Sequence, residues 1–216
     1  MDPCAHRLVL PELLDELPVD DPRAVRSRRD LRWINALMGN EAWMLRQLRR
    51  HASAAANGVV EWGAGDAAFT RKMRKCFPAI PLAAYDLQGA PDGTEGIVWY
   101  RGDLTKQQPP ERFGVLVANL FLHHFNDTDL SWVLPWMSHC EVMIWNEPLR
   151  KNFAHGLGLL MHPLINDVTK HDMHISIDAG FRKGELPALF ADEASHWKIE
   201  ESEHWKGALR SVWVRR

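Results

Sequence analysis

One stretch constrains this chain more than any other: Val59-Val60-Glu61-Trp62-Gly63-Ala64-Gly65-Asp66-Ala67-Ala68-Phe69. Two β-branched residues lead into an acid, two glycines follow with one residue between them, and the run after them can be helical. That order reads as a strand, a sharp turn and a helix start. Glycine at 63 and 65 lets the backbone turn tightly and approach a ligand with no Cβ in the way, and the helix start carries N–H groups without intrahelical partners. A dinucleotide-binding loop would read G-x-G-x-x-G and place a pyrophosphate on those amides. This loop reads E-x-G-x-G-x-A, with Ala67 in the third glycine position. An acidic side chain at its mouth repels phosphate and attracts a cationic group.

The same residues resemble the first motif of the class I S-adenosylmethionine-dependent methyltransferases. The resemblance implies that Glu61 lies near the methionine part of the cofactor and that Gly63 and Gly65 pass beneath it. Ala67 is a departure from the usual glycine and narrows the space slightly. A glycine-rich turn holding no ligand is the plainer alternative.

Downstream, the pattern repeats strand and helix. Thr70 to Phe77 reads as a helix closed by Pro78, and Pro81 to Leu87 as a second strand ending at Asp86. The interval from the loop to Asp86 suits one strand–helix–strand unit with a ribose-binding carboxylate. Ile97–Tyr100 is a third strand, followed by Asp103-Leu104. Phe113–Asn119 is a fourth, with a continuous apolar run as in a buried parallel strand. Val142–Asn146 is a fifth, and Trp197–Glu201 with Leu209–Val214 closes the sheet as an antiparallel pair. The expected fold is α/β: a Rossmann-like, doubly wound, mostly parallel seven-stranded sheet with an antiparallel closing strand and N-terminal cap helices. Residues 1–52 form the leader and cap helices, and 53–216 the methyltransferase-like domain. Ligands on such sheets bind beyond the carboxyl ends of the strands. There the resemblance assigns cofactor contacts to Glu61, Gly63, Gly65, Asp86, Leu87, Asp103, Leu104 and Asn119, with Asp103 receiving the adenine amino group. A turn aspartate bonded to its own backbone is the alternative for Asp103.

Ahead of the loop, residues 1–19 read as a loose leader. Asp20-Asp21-Pro22 starts a helix that stops at Gly39-Asn40, with Val25, Leu31, Ile34, Leu37 and Met38 as its apolar members. Its other face carries Arg23, Arg26, Arg28, Arg29 and Arg32, either solvated or a wall for an anionic substrate. A second helix covers Glu41 to His51. Asp21 to Asn40 is similar to the N-terminal helices of small bacterial methyltransferases of aromatic or quinone-like metabolites, where such helices cover the cofactor. Lys170 to Ser176, Phe181 and Glu185-Leu186 resemble the C-terminal half of that subgroup. Asn126 to Asp129 opens a helix that Pro135 kinks or ends, 151–165 is an apolar helical stretch, 166–180 is polar and irregular, and Gly184 to Ala191 is a short helix.

His123 and His124 follow strand four. One of them, and at most one because adjacent side chains diverge, is placed to take a proton from a substrate hydroxyl; packing is the alternative for either. No metal is expected. Among eleven histidines the nearest approach to a ligand pattern is His171-Asp172-Met173-His174, in an irregular segment.

A net charge of −2 lacks the basic excess of a nucleic-acid binder, no apolar run nears the roughly 20 residues of a membrane span, and the N-terminus does not read as a signal peptide. Cys4, Cys76 and Cys140 are far apart, which favours thiols in a reducing cytoplasm. The expected partner is a small-molecule substrate, with a homodimer left open. The expected function is S-adenosylmethionine-dependent methylation, on oxygen of an aromatic, quinone-like or polyketide-like metabolite. The alternatives are a non-catalytic S-adenosylmethionine-binding regulatory protein and a nicotinamide-dependent Rossmann oxidoreductase.

Overall fold

The computed structural model describes residues 4–216. The chain begins with a short helix α1 (Leu13–Glu16), then α2 (Pro22–Met38), α3 (Asn40–Arg50) and α4 (Ala52–Ala56). The sheet region follows: β1 (Val59–Trp62), α5 (Ala68–Cys76), β2 (Leu82–Asp86), β3 (Val98–Arg101), β4 (Val115–Asn119), α6 (Val133–Met137) and β5 (Val142–Pro148). The last part holds α7 (Asn152–Met161), α8 (Asp167–Ala179), α9 (Glu185–Leu189), α10 (Ala191–Ala194), β6 (Trp197–His204) and β7 (Ala208–Arg215). No helix among the described residues is long and apolar enough to cross a membrane.

All seven strands form one sheet in the order β3-β2-β1-β4-β5-β7-β6. The first five are parallel, and β7 enters antiparallel between β5 and β6. The chain moves outward from β1 to β3 and then returns to place β4 beside β1. The order therefore reverses between β1 and β4, and the crevice beyond their carboxyl ends is where such a sheet takes a ligand.

Side-chain alternation divides the core into two layers. Val60, Trp62, Leu116, Met143 and Trp145 face one side, with Trp136 of α6 and Leu186 of α9. Val59, Val115, Val117 and Ile144 face the other, under Met44 of α3 and Phe69 and Met73 of α5. Central strands buried on both faces explain why their sequences are nearly continuous apolar runs.

The caps of α2 match expectation. The Asp21 carboxylate accepts from Arg23 N, and Gly39 closes the helix with φ 70°. Its buried face does not. Val25 and Leu37 are exposed, and the buried residues are Ala24, Ser27, Asp30 and Ile34. Segment 166–180, read as irregular, is the thirteen-residue helix α8, capped by the Asn166 side chain accepting from Thr169 N at 2.8 Å. Both misreadings have one cause: where α2 meets α8 the contact is polar. Thr169 Oγ1 donates to Ser27 Oγ at 3.0 Å, and Asp30 Oδ2 accepts from Asn166 N at 2.8 Å. Buried polar pairs leave no apolar period in either sequence.

The leader is likewise not loose over its described part. Asp172 of α8 accepts from the backbone N–H groups of Leu13 and Leu14 at 2.8 and 2.9 Å, pinning the first turn of α1. Pro135 lies inside α6 and does not end it. The expected helix at Asn126–Asp129 is a 3-10 turn, Asp127–Trp132, running into α6.

Candidate active site

The carboxyl edge of the parallel strands gathers Glu61, Asp86, Asp103, Asn119 and one residue the sequence did not single out, Glu147. Between β1 and α5 the backbone takes positive φ at Gly63 (63°), Gly65 (54°) and Ala67 (58°). A Cβ at Gly63 would lie 2.3 Å from Phe121 Cδ2, so the Phe121 ring rests directly on the turn, whereas a Cβ at Gly65 would meet nothing within 4 Å. Gly63 is needed for close packing, and Gly65 borders open space.

Five amides of this loop are engaged. Gly63 N and Ala64 N donate to Tyr85 O at 2.9 and 3.2 Å, and Ala67 N to Ala64 O at 2.8 Å. Gly65 N donates to Asp86 Oδ2 at 2.8 Å, and Ala68 N to Asp66 Oδ1 at 3.1 Å. A pyrophosphate needs donors aimed outward; here five of them are turned to protein acceptors, two of those acceptors being carboxylates.

Each expected cofactor residue has a definite place. Glu61 is buried under α5 with Thr70 Oγ1 donating to its carboxylate. Burial outweighs that bond, and with the neighbouring Glu41, Asp86 and Asp66 charges pushes the Glu61 carboxyl up to about 8. Asp86 accepts from Gly65 N and, through Oδ1, from Gln88 N at 2.8 Å, which fixes the carboxylate at the strand end. Leu87 beside it is 66% exposed. Asp103 caps a 3-10 turn, Leu104–Lys106, accepting from Thr105 N and Thr105 Oγ1 at 3.0 and 2.7 Å and pairing with Lys106 Nζ at 3.1 Å. Those contacts with Thr105 and Lys106 hold its carboxyl below the usual range. Leu104 packs its side chain into the core, so only its backbone is left for a ligand. Asn119 Oδ1 accepts from Asn146 Nδ2 at 2.9 Å, tying the ends of β4 and β5 together.

Just past β4, Leu120 has φ 55°, a left-handed conformation that a bulky side chain adopts only when its surroundings impose it. The turn that follows, Leu122–His124, is held by Glu147. This fully buried carboxylate accepts from the backbone N–H groups of Phe121, Leu122 and His123 at 3.1, 2.9 and 3.3 Å, and lies 2.9 Å from His123 Nδ1. On the other side of the ring, His123 Nε2 is 3.7 Å from Glu12 Oε1, and Ser176 of α8 donates to Glu12. Burial alone would lower the His123 pKa, but the two carboxylates outweigh it and push it up to about 9. His123 is thus a clamped imidazolium at neutral pH.

His124 lies at the rim and keeps solvent. The two rings do not diverge as expected: their centroids are 4.3 Å apart, because the pair sits in a 3-10 turn and not in extended chain. Crowding by the surrounding chain, then the charge of His123, hold His124 below the ordinary histidine range. Neutral His124 can accept a proton; charged His123 cannot. Sequence reasoning missed Glu147 and Glu12 because nothing local marks either residue; only the fold brings them to His123.

No protein-family model and no curated protein matches the sequence. Solved structures do match in three dimensions. The plantazolicin methyltransferase BamL, in complex with a triazolic desmethylPZN analog and SAH, aligns with a TM-score of 0.73 at 9% identity, covering 94% of this chain and 92% of that one. This is the class I methyltransferase fold. A second methyltransferase-fold structure, BpumL in complex with SAH, aligns with a TM-score of 0.67 at 9% identity, covering 91% of each chain. The pyocyanin biosynthetic protein PhzM shares 16% identity and a TM-score of 0.58 over 91% of this chain but 60% of its own. In the methyltransferase fold of this chain, α2 reaches the loop through Arg32 Nη1, 2.5 Å from Asp66 Oδ2. That contact brings the N-terminal helices to the carboxyl edge of the parallel strands.

Proposed function

We propose that this chain is an S-adenosylmethionine-dependent methyltransferase acting on oxygen of a small aromatic, quinone-like or polyketide-like metabolite. The observation that carries the reading is the loop between β1 and α5: five of its amides are spent on protein acceptors, the Asp86 carboxylate holds Gly65 N beside the open space at Gly65, and Glu61 lies buried under α5 at the end of β1. That edge suits a cationic ligand with ribose hydroxyls and disfavours a pyrophosphate, which sets the nicotinamide reading aside. Glu61 would face the amino acid part of the cofactor, Asp86 would accept from the ribose hydroxyls, and Asn119 and the backbone at Leu87 and Leu104 would complete the contacts. When bound, the cofactor supplies an activated methyl group. The protein's part is then alignment and, for a hydroxyl acceptor, removal of one proton.

Two measurements test this. S-adenosylhomocysteine at saturating concentration should raise the melting temperature, with a dissociation constant in the micromolar range, on the order of 8 kcal/mol, and NAD should not. Stabilisation by NAD alone would overturn the assignment. Binding without transfer of a labelled methyl group to any component of a metabolite extract would favour the regulatory alternative.

His124 is assigned as the proton acceptor, with His123 as the charged group that positions the turn. His124→Gln should lower turnover about 100-fold or more, with S-adenosylhomocysteine affinity unchanged. Turnover near the wild-type rate would mean that alignment alone drives the reaction.

A further inference from the structure

Three distant segments converge on the side of α8 that faces α7. His174 and Asp178 lie one turn apart there, roughly opposite the face on which Asp172 and Ser176 bind the N-terminal segment. His155 comes from α7, and Cys4 from the start of the described chain. His155 Nε2 is 2.9 Å from Asp178 Oδ1. A ligand atom each of Cys4, His155 and Asp178 all lie within 4.8 Å of one another. Cys4 is fully buried, and its carbonyl is held by Arg150 Nη1 at 2.8 Å, while Leu8 N donates to the Asp178 carbonyl at 3.1 Å.

We propose that Cys4, His155 and Asp178 form a binding site for a divalent transition metal of the zinc class, which clips the N-terminal segment to α7 and α8. A thiolate, an imidazole and a carboxylate make a donor set that zinc accepts, at about 2.3 Å to sulfur and about 2.0–2.2 Å to nitrogen and oxygen. Donors so placed around one ion are roughly 3–4 Å apart by those lengths, so the present spacing needs only small side-chain shifts. Asn152 Oδ1, 3.2 Å from Cys4 Sγ, or a water can complete the tetrahedron.

The surroundings of His155 support a ligand role. Its Nδ1 is 2.8 Å from Nδ1 of His174, whose Nε2 is 3.1 Å from Nε2 of His162. Each nitrogen pair needs one protonated and one bare partner. With His155 Nε2 on the metal, its Nδ1–H donates to His174, and the Nε2–H of His174 donates to His162. That one series satisfies both contacts and fixes the His155 tautomer, as metal-bound histidines require. Binding releases the thiol proton to solvent and moves no electron. The site escaped sequence reasoning because Cys4 and His155 stand 151 positions apart.

Zinc and cobalt(II) test the site on the purified full chain. Zinc, titrated against a chromophoric chelator, should bind at one equivalent per chain, and cobalt(II) should give a thiolate-to-metal charge-transfer band. Cys4→Ser should abolish that band, while Cys76→Ser and Cys140→Ser keep it. His174→Ala should keep the band and weaken zinc binding about 10- to 100-fold. Failure of zinc to bind stoichiometrically at micromolar concentration, or a band that survives Cys4→Ser, overturns the proposal. Should Cys4→Ser not fold by circular dichroism, His155→Gln decides: a large loss of zinc affinity supports the site, and unchanged affinity overturns it.

Discussion

Replacing Glu147 with alanine is expected to destabilise the protein by about 3–5 kcal/mol, the usual cost of leaving one member of a buried ion pair alone. Three backbone N–H groups and the His123 ring lose their acceptor at once, in a place where Glu147 is fully buried. For a chain of this length the melting temperature should fall by roughly 6–20 °C. The pH dependence separates this from simple cavity formation. The His123 pKa is raised in the folded protein from 6.5 to about 9, so its stabilisation is complete below pH 6.5 and is lost as pH rises through 9. Urea midpoints of the wild type should decline over that window, and those of Glu147→Ala should decline less. Parallel curves for the two proteins would show that the pair is not charged.

Glu61→Gln is expected to have opposite effects on stability and on binding. The Glu61 carboxyl is raised from 4.5 to about 8. The folded state holds that proton while the unfolded state has lost it, so wild-type stability falls as pH rises from 4.5 through 8. Glutamine keeps the shape without the penalty of ionising in a buried place, and above pH 8 the variant should be more stable by a few kcal/mol, on the order of the shift itself. Its affinity for S-adenosylhomocysteine should drop about 10- to 100-fold, the worth of one charge-assisted hydrogen bond. In the wild type, affinity should strengthen up to about tenfold per pH unit below 8, because a cation at Glu61 displaces the proton. In Glu61→Gln that slope should vanish. Calorimetry in buffers of different ionisation enthalpy reads the released proton directly, and a wild type that releases none would remove Glu61 from the binding site.

The strands and the loop were legible because their information is local. Val59–Trp62 and Val115–Asn119 are buried on both sides by their own composition, and Gly63 and Gly65 mark the turn by residue type. Asp86 could be found from its interval to the loop. Asp103 is assigned by resemblance alone, and in the structure its carboxylate is occupied by Thr105 and Lys106, the bonding of a turn aspartate. What stayed hidden is relational. Helix α8 spends its polar residues on Ser27, Asp30 and the turn at Leu13, so its pattern resembles that of a loop. Glu12 belongs to a segment that looked loose until Ser176 and His123 gave it partners. The two histidines were seen as a pair, but which one is charged depends on Glu12 and Glu147, both remote in sequence.

The path of the N-terminal segment also bears on how the protein should be handled. Residues 4–16 run along α8 to the rim where His123 and His124 stand. The last strand runs the other way: Leu209 pairs with Glu147 at the carboxyl edge, but Arg215 pairs with Trp197 and bonds to Glu141 at the opposite edge. An affinity tag or fluorophore joined ahead of Cys4 would crowd its buried thiol and the carbonyl that Arg150 holds. The same label joined after Arg216 would hang from the far side of the sheet, where surface immobilisation leaves the cleft facing the solution.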